Sequence, residues 1–186
     1  MLRGYVIVIA LLLASVAHAT DVPELARVFV DLPERYVAHV TKADRQRWLK
    51  EVHPFKDAYH NNADGRNLSF SYDGEEPMSG NAPFTLHIFK SPASRRCVGV
   101  AVQREGAAAV HILSRRGGKW IEITREVVPQ PINPKLYYEF DARDDVLSVS
   151  DYVLTRIHSY DTQPYPYPSK LLEKWRWTGE RFAVVR

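Results

Sequence analysis

The chain has 186 residues, with 25 Lys and Arg against 22 Asp and Glu and a formal net charge of +3. So slight an excess, with acids and bases interspersed, excludes the one-sign basic surface that a nucleic-acid binder needs. A single cysteine, Cys97, excludes an internal disulfide framework.

Residues 1–19 read as an export signal. Arg3 supplies the positive start, Tyr5 to Ala14 the apolar run, and Ala17-His18-Ala19 the small-x-small site, predicting cleavage after Ala19. The run is shorter than the roughly 20 residues a spanning helix needs, and no second long apolar stretch follows. Cys97 lies far from the cleavage point, so a lipid anchor is not expected. The reading is a periplasmic or secreted protein with no membrane insertion. Cleavage removes Arg3 and no acid, leaving 24 basic against 22 acidic residues. Residues 20–186 fit one domain, a size that buries roughly 70% of its unfolded surface.

The first part of that domain, residues 22–60, reads as helical. Pro23 stands at a first helical position and Leu25, Val28 and Phe29 recur at helical spacing. Asp31-Leu32-Pro33-Glu34 restarts a helix, with a capping Asp, an early Pro and an early acid. Thr41-Lys42-Ala43-Asp44 is a capping-box variant with Asp in the place of Glu. It opens a third helix through about Val52, with Trp48, Leu49 and Val52 facing in and Arg45, Gln46 and Lys50 facing water. His53-Pro54 ends it, and Asn61 to Gly65 is a loop.

Residues 66–186 read as strand-rich. Leu68-Phe70-Tyr72, Phe84-Leu86-Ile88 and Val98-Val100-Val102 alternate with smaller or polar residues. Val110-Ile112, Ile121-Ile123, Leu136-Tyr138-Phe140 and Leu147-Val149 continue the period of two. Gly117-Gly118 and other Gly- and Asp-containing turns separate them, the pattern of an antiparallel meander. Pro129 to Pro134 and Gln163 to Pro168 read as extended connections stiffened by proline. Trp175-Arg176-Trp177, a Thr178-Gly179 turn, then Phe182 and Val184 form a closing hairpin, with both Trp on one face, which the core should claim. The predicted fold is α+β, with short N-terminal helices packed on a single antiparallel meander sheet that could curl into an open barrel. Cys97, in an alternating valine run, is expected to be a buried packing thiol.

No catalytic, cofactor or metal set emerges. His53, Asp57 and His60 share a helical face, but Pro54 interrupts it and no further strong ligand stands nearby. The echo of a calcium loop from His60 fails at both ends, since it starts on His and reaches Ser71 where a Glu belongs. His87 and His111 fall out of step with the apolar strand positions and could meet Glu122 on a wetter face for acid–base work. There is no Gly-x-Ser-x-Gly elbow and no phosphate loop. The best recognition candidates are Tyr160, Tyr165 and Tyr167, whose rings sit on a proline-restricted chain and lose little entropy when covered. The bland alternative has these rings lying back over a sheet edge to shield it.

The function expected is therefore an exported non-catalytic binding protein, such as an inhibitor, an immunity-type partner or an envelope accessory factor. It would meet a protein or small molecule in the cell envelope, and no nucleic acid. Two alternatives stand beside it. One is a hydrolase or metal-dependent enzyme with histidines assembled in space. The other is a carrier of a small apolar ligand. An enzyme predicts convergence of His53, Asp57 and His60, or of His87, His111 and Glu122. A binding protein predicts an exposed apolar patch or open edge instead.

Overall fold

The computed structural model describes residues 24–37, 41–51, 66–70, 84–91, 96–104, 107–141, 144–155 and 165–185. The export signal, His53, Asp57, His60, the Asn61 to Gly65 loop and Tyr160 lie outside the described residues.

Helix α1 spans Glu24–Asp31 and turns Leu25, Val28 and Phe29 inward, as their spacing requires. The predicted restart at Asp31 is a single 3-10 turn, Glu34–Tyr36, which buries Tyr36. Helix α2, Lys42–Glu51, begins at the predicted cap. Thr41 Oγ1 accepts the Asp44 N–H at 3.1 Å and donates its own proton to Asp44 Oδ2 at 2.6 Å. Glu34 Oε1 takes the Lys42 N–H at 3.2 Å, so two donors of the first turn are satisfied by side chains.

Five strands follow in one antiparallel sheet: β1 Asn67–Phe70, β2 Phe84–Ile88, β3 Arg96–Arg104, β4 Ala107–Arg116 and β5 Lys119–Glu122, in that spatial order. The β4–β5 turn is Gly117-Gly118, with φ of 54° and 78°. Both residues occupy the left-handed region that a two-residue turn matched to the sheet twist demands. A short helix, α3 at Thr124–Val127, and the segment Pro129 to Pro134 then lead to a second antiparallel sheet. Its strands are β6 Tyr137–Phe140, β7 Val146–Thr155, β8 Tyr165–Trp177 and β9 Phe182–Val185, again in sequential order.

The chain is thus mostly β with a few short helices, and the expected single meander is corrected to two. Alternation marks strands but does not say which of them pair across a connection. Three prolines between 129 and 134 remove backbone donors there, so the ladder stops at β5 and restarts at β6. No closed barrel forms among the described residues.

The first sheet is the middle of three layers. Its Phe84, Leu86, Val98, Val100 and Leu113 pack against Leu25, Val28 and Phe29 of the helices. Its opposite face, with Cys97, Ala101, Val110 and Ile112, meets Tyr138, Phe140, Leu147, Trp175, Trp177 and Phe182 of the second sheet. Cys97 is fully buried, as expected of a packing thiol. Trp175 and Trp177 both face this core, and Trp177 stacks on Phe89 at 5.0 Å between centroids. Rings and aliphatic groups of both sheets make up most of the layer between them.

Arg45 corrects another expectation. It does not face water but is 1% exposed, the largest departure from the charged-residues-out rule in the described fold. Its Nη1 donates to the carbonyls of Phe29 at 2.5 Å and Leu32 at 2.7 Å. These are carbonyls at the C-terminal end of α1, where the helix has no N–H left to offer and where positive charge is favoured. Burial lowers the Arg45 pKa, and the carboxylates of Glu34 and Asp31 oppose that shift.

Candidate functional site

Beyond the Trp175 end, the second sheet narrows to two strands. Strand β6 pairs with β7 only over Leu147 to Ser150, and β9 pairs with β8 only over Lys174 to Trp177. From Asp151 to Thr155 on β7 and Tyr165 to Leu172 on β8, each strand has only the other as partner among the described residues. The result is a ribbon, with register shifts on either side of Ser150 where the pairing changes phase. Tyr165 to Pro168, read from sequence as a connection, is therefore strand, paired with Tyr152 to Thr155. Proline has no N–H to donate, so Pro166 and Pro168 take the positions whose backbone faces away from β7. Tyr165 and Tyr167 take the positions that face it.

The ribbon carries most of the exposed apolar surface. Seven large apolar side chains stand exposed among the described residues, and five of them are here: Val153, Leu154, Tyr167, Leu171 and Leu172, at 42–54% exposure. Val153 lies opposite Tyr167 and Leu171 opposite Ser150. Asp151 and Lys170 add exposed charges at the ribbon root. At the junction with the sheet, burial pushes the Tyr137 phenol up, and the charges of Glu139 and Tyr167 add to the effect. Of the three tyrosines proposed from sequence, Tyr167 is exposed on the ribbon, Tyr165 lies in its strand and Tyr160 is outside the described residues. The four aliphatic residues were missed. Their signal was the doublets Val153-Leu154 and Leu171-Leu172: in a strand of period two, one member of each must leave the core face.

The histidines fall into two separate places. His111 and Glu122 meet, as the sequence allowed, with His111 Nδ1 2.9 Å from Glu122 Oε1. Thr124 Oγ1 donates to the same oxygen at 3.1 Å, and the His111 ring packs edge-on against Tyr36 at 5.0 Å. Burial works to raise the Glu122 carboxyl, but the hydrogen bonds and charge of His111, with those from Thr124 and Tyr36, hold it below the usual range. Arg35 Nη2 donates to the Tyr36 hydroxyl at 2.9 Å and its guanidinium covers the same ring. The cluster fastens the 3-10 turn to β4 and β5 on the helix side of the first sheet.

His87 does not join it. It lies on the opposite face of that sheet, fully buried, with Nε2 2.9 Å from Asp145 Oδ1. Arg66 Nη1 donates to the same carboxylate oxygen and to the Ile88 carbonyl at 3.3 Å. The ring is stacked on Phe140 and set edge-on to Phe89. The convergence of His87, His111 and Glu122 is thus corrected: through β3, His87 lies in line with Gly99 and Ile112 and not with His111, so the two rings fall on opposite sides of one sheet. Among the described residues, no three His, Cys, Asp or Glu side chains are placed to hold a metal ion.

The architecture is that of a two-sheet antiparallel protein backed by short helices. No family model matches the chain, and no curated protein matches it. A solved domain of an uncharacterized protein from Porphyromonas gingivalis W83 is similar to it, with a TM-score of 0.53 and 15% identity, over 87% of this chain and 98% of that one. At that identity the likeness concerns the fold alone. No helix among the described residues is long and apolar enough to cross a membrane.

Proposed function

We propose that this chain is an exported, non-catalytic binding protein of the cell envelope, and that the β7–β8 ribbon meets its partner. One observation carries the reading: among the described residues, five of the seven exposed large apolar side chains gather on one two-stranded projection. Isolated exposed aliphatics need no explanation, but their gathering on one projection is the mark of an interaction surface. A two-stranded ribbon is also marginal by itself in water, so a partner that covers it gains contact area and steadies it. Tyr167, with few rotatable bonds and a polar tip, suits the centre of such a contact. The partner this surface fits is another protein with an apolar recess. Export rests on the Arg3, Tyr5 to Ala14 and Ala17-His18-Ala19 pattern.

A photo-cross-linking residue at position 153, on the ribbon, and another at Arg116, on the first sheet, test the proposal in cells of the source organism. A discrete adduct from position 153 that is lost with Leu171→Ser and Leu172→Ser, at unchanged melting temperature, supports it. Equal adducts from both positions, or an adduct indifferent to the leucines, overturns it. Intact mass of the protein from the cell envelope should begin at Thr20.

A further inference from the structure

On the face of the first sheet turned towards the second, β1 and β2 bring three buried polar side chains together. Asn67 lies opposite His87 in the β1–β2 register, and Thr85 precedes His87 by two residues on the same strand. All three therefore project to one side. Asn67 and Thr85 are each 6% exposed and His87 is fully buried. Each retains one polar atom without a hydrogen-bond partner among the described residues: Asn67 Oδ1, Thr85 Oγ1 and His87 Nδ1.

Their other polar atoms fix what these three offer. Asn67 Nδ2 donates to the Phe140 carbonyl at 3.1 Å, which orients the amide and leaves Oδ1 as an acceptor. His87 Nε2 faces the Asp145 carboxylate, which only accepts, so Nε2 carries a ring proton, and in that tautomer Nδ1 is an acceptor. Thr85 Oγ1 is a hydroxyl that can donate. The set is two acceptors and one donor, on one face, in a place where bulk water does not reach. Buried polar groups in native proteins are almost always paired with protein or with ordered water.

Charge decides the ligand class. The three atoms bring no net charge, and Asp145, the carboxylate bound to His87, is already matched by Arg66. A bare cation would lose its hydration with no anion to replace it, and an anion would face two acceptors. A neutral molecule with two protons to give and a lone pair to receive fits all three. We propose that Asn67, Thr85 and His87 form a closed site for a single water molecule, which donates to Asn67 Oδ1 and His87 Nδ1 and accepts from Thr85 Oγ1. The water completes a hydrogen-bonded chain from Thr85 through His87 and Asp145 to Arg66. That chain ties β1 and β2 of one sheet to the β6–β7 turn of the other.

Two NMR readouts test this on the full protein. A long-lived water should give a cross-peak of slow-tumbling sign to the Thr85 methyl group, and the His87 Nδ1 nitrogen should resonate as a hydrogen-bonded acceptor. Thr85→Val, nearly identical in shape, should lose the cross-peak and move Nδ1 towards its unbonded position. If that variant does not fold, a high-resolution crystal structure of the wild type gives the same decision, with density within hydrogen-bond distance of all three atoms. Absence of the cross-peak in the wild type, or a protein atom filling that position, overturns the site.

Discussion

The Phe140 ring lies directly on Gly99. A Cβ built on Gly99 would come within 2.8 Å of Cε1 and 2.9 Å of Cε2 of that ring, closer than real side-chain atoms approach. Gly99 sits in mid-β3, opposite His87 on β2 and Ile112 on β4, so neither neighbouring strand can move aside cheaply. The missing methyl is what lets the two sheets close at this point. Gly99→Ala should destabilise the fold by about 1–3 kcal/mol through overpacking, despite its better strand propensity. Urea unfolding measures it, and pairing it with Phe140→Leu should recover part of the loss. An unchanged midpoint for Gly99→Ala alone would show that the ring can swing away.

Arg45 is the second place where one side chain holds distant segments together. Arg45→Met keeps much of the apolar stem but leaves the Phe29 and Leu32 carbonyls buried without their donor. The expected cost is about 3 kcal/mol, in the range for lost hydrogen bonds to a charged group. Arg45→Lys, which offers a point charge in place of a fork, should recover only part of it. Thermal melts of the two variants against wild type check both the loss and the order.

How much of this was legible follows from which residues have local signals. The cap at Thr41 and Asp44, the Gly117-Gly118 turn and the Trp175 to Phe182 hairpin depend on neighbours in sequence, and each stands where its pattern put it. Arg45 was misread because its reward, two carbonyls 13 and 16 residues back, is not local. The split into two sheets was missed for a related reason: strand periodicity is blind to pairing order. The pairing of His111 with Glu122 could be suspected from parity, whereas the partner of His87, Asp145, lies 58 residues away in a turn. On the ribbon, the tyrosines drew notice through their prolines, while the aliphatic doublets beside them, which carry no turn or cap signal, did not.

Asp145 gives a pH signature. Burial acts to raise its carboxyl, yet the hydrogen bonds from His87 and Arg66, with the charge of Arg66, hold it below the ordinary aspartate range. A carboxyl depressed in the folded state adds stability that is present above its unfolded pKa and lost as pH falls through its folded value. Asp145→Asn should therefore be less stable than wild type at pH 7, and the gap should narrow as the pH drops below about 3.9. Urea midpoints at pH 7, 5 and 3 read the trend. A gap that stays constant would mean that shape, and not charge, is what Asp145 contributes.

Trp175 and Trp177 belong to the inter-sheet core. Trp175 Nε1 donates to Glu173 Oε2 at 2.6 Å, and Trp177 Nε1 to the Lys90 carbonyl at 3.2 Å. Truncation of either to Ala should cost about 3–5 kcal/mol, a large share of a domain's stability. Trp177→Phe should be milder, since it keeps ring contacts with Phe89 and Phe182 and loses the bond to Lys90. Melting temperatures rank the three, and an unchanged Trp177→Ala melt would remove that residue from the core.

The prolines at 166 and 168 have a consequence for how the molecule behaves in a crowded compartment. A bare strand margin ordinarily invites another chain to dock its backbone and propagate a growing stack. Here two successive donor positions on that margin are blank, so an incoming strand would find its carbonyls unanswered at both. Leucine and tyrosine side chains of β8 therefore stand in the open beside a margin that offers an incoming strand no donor at those two positions.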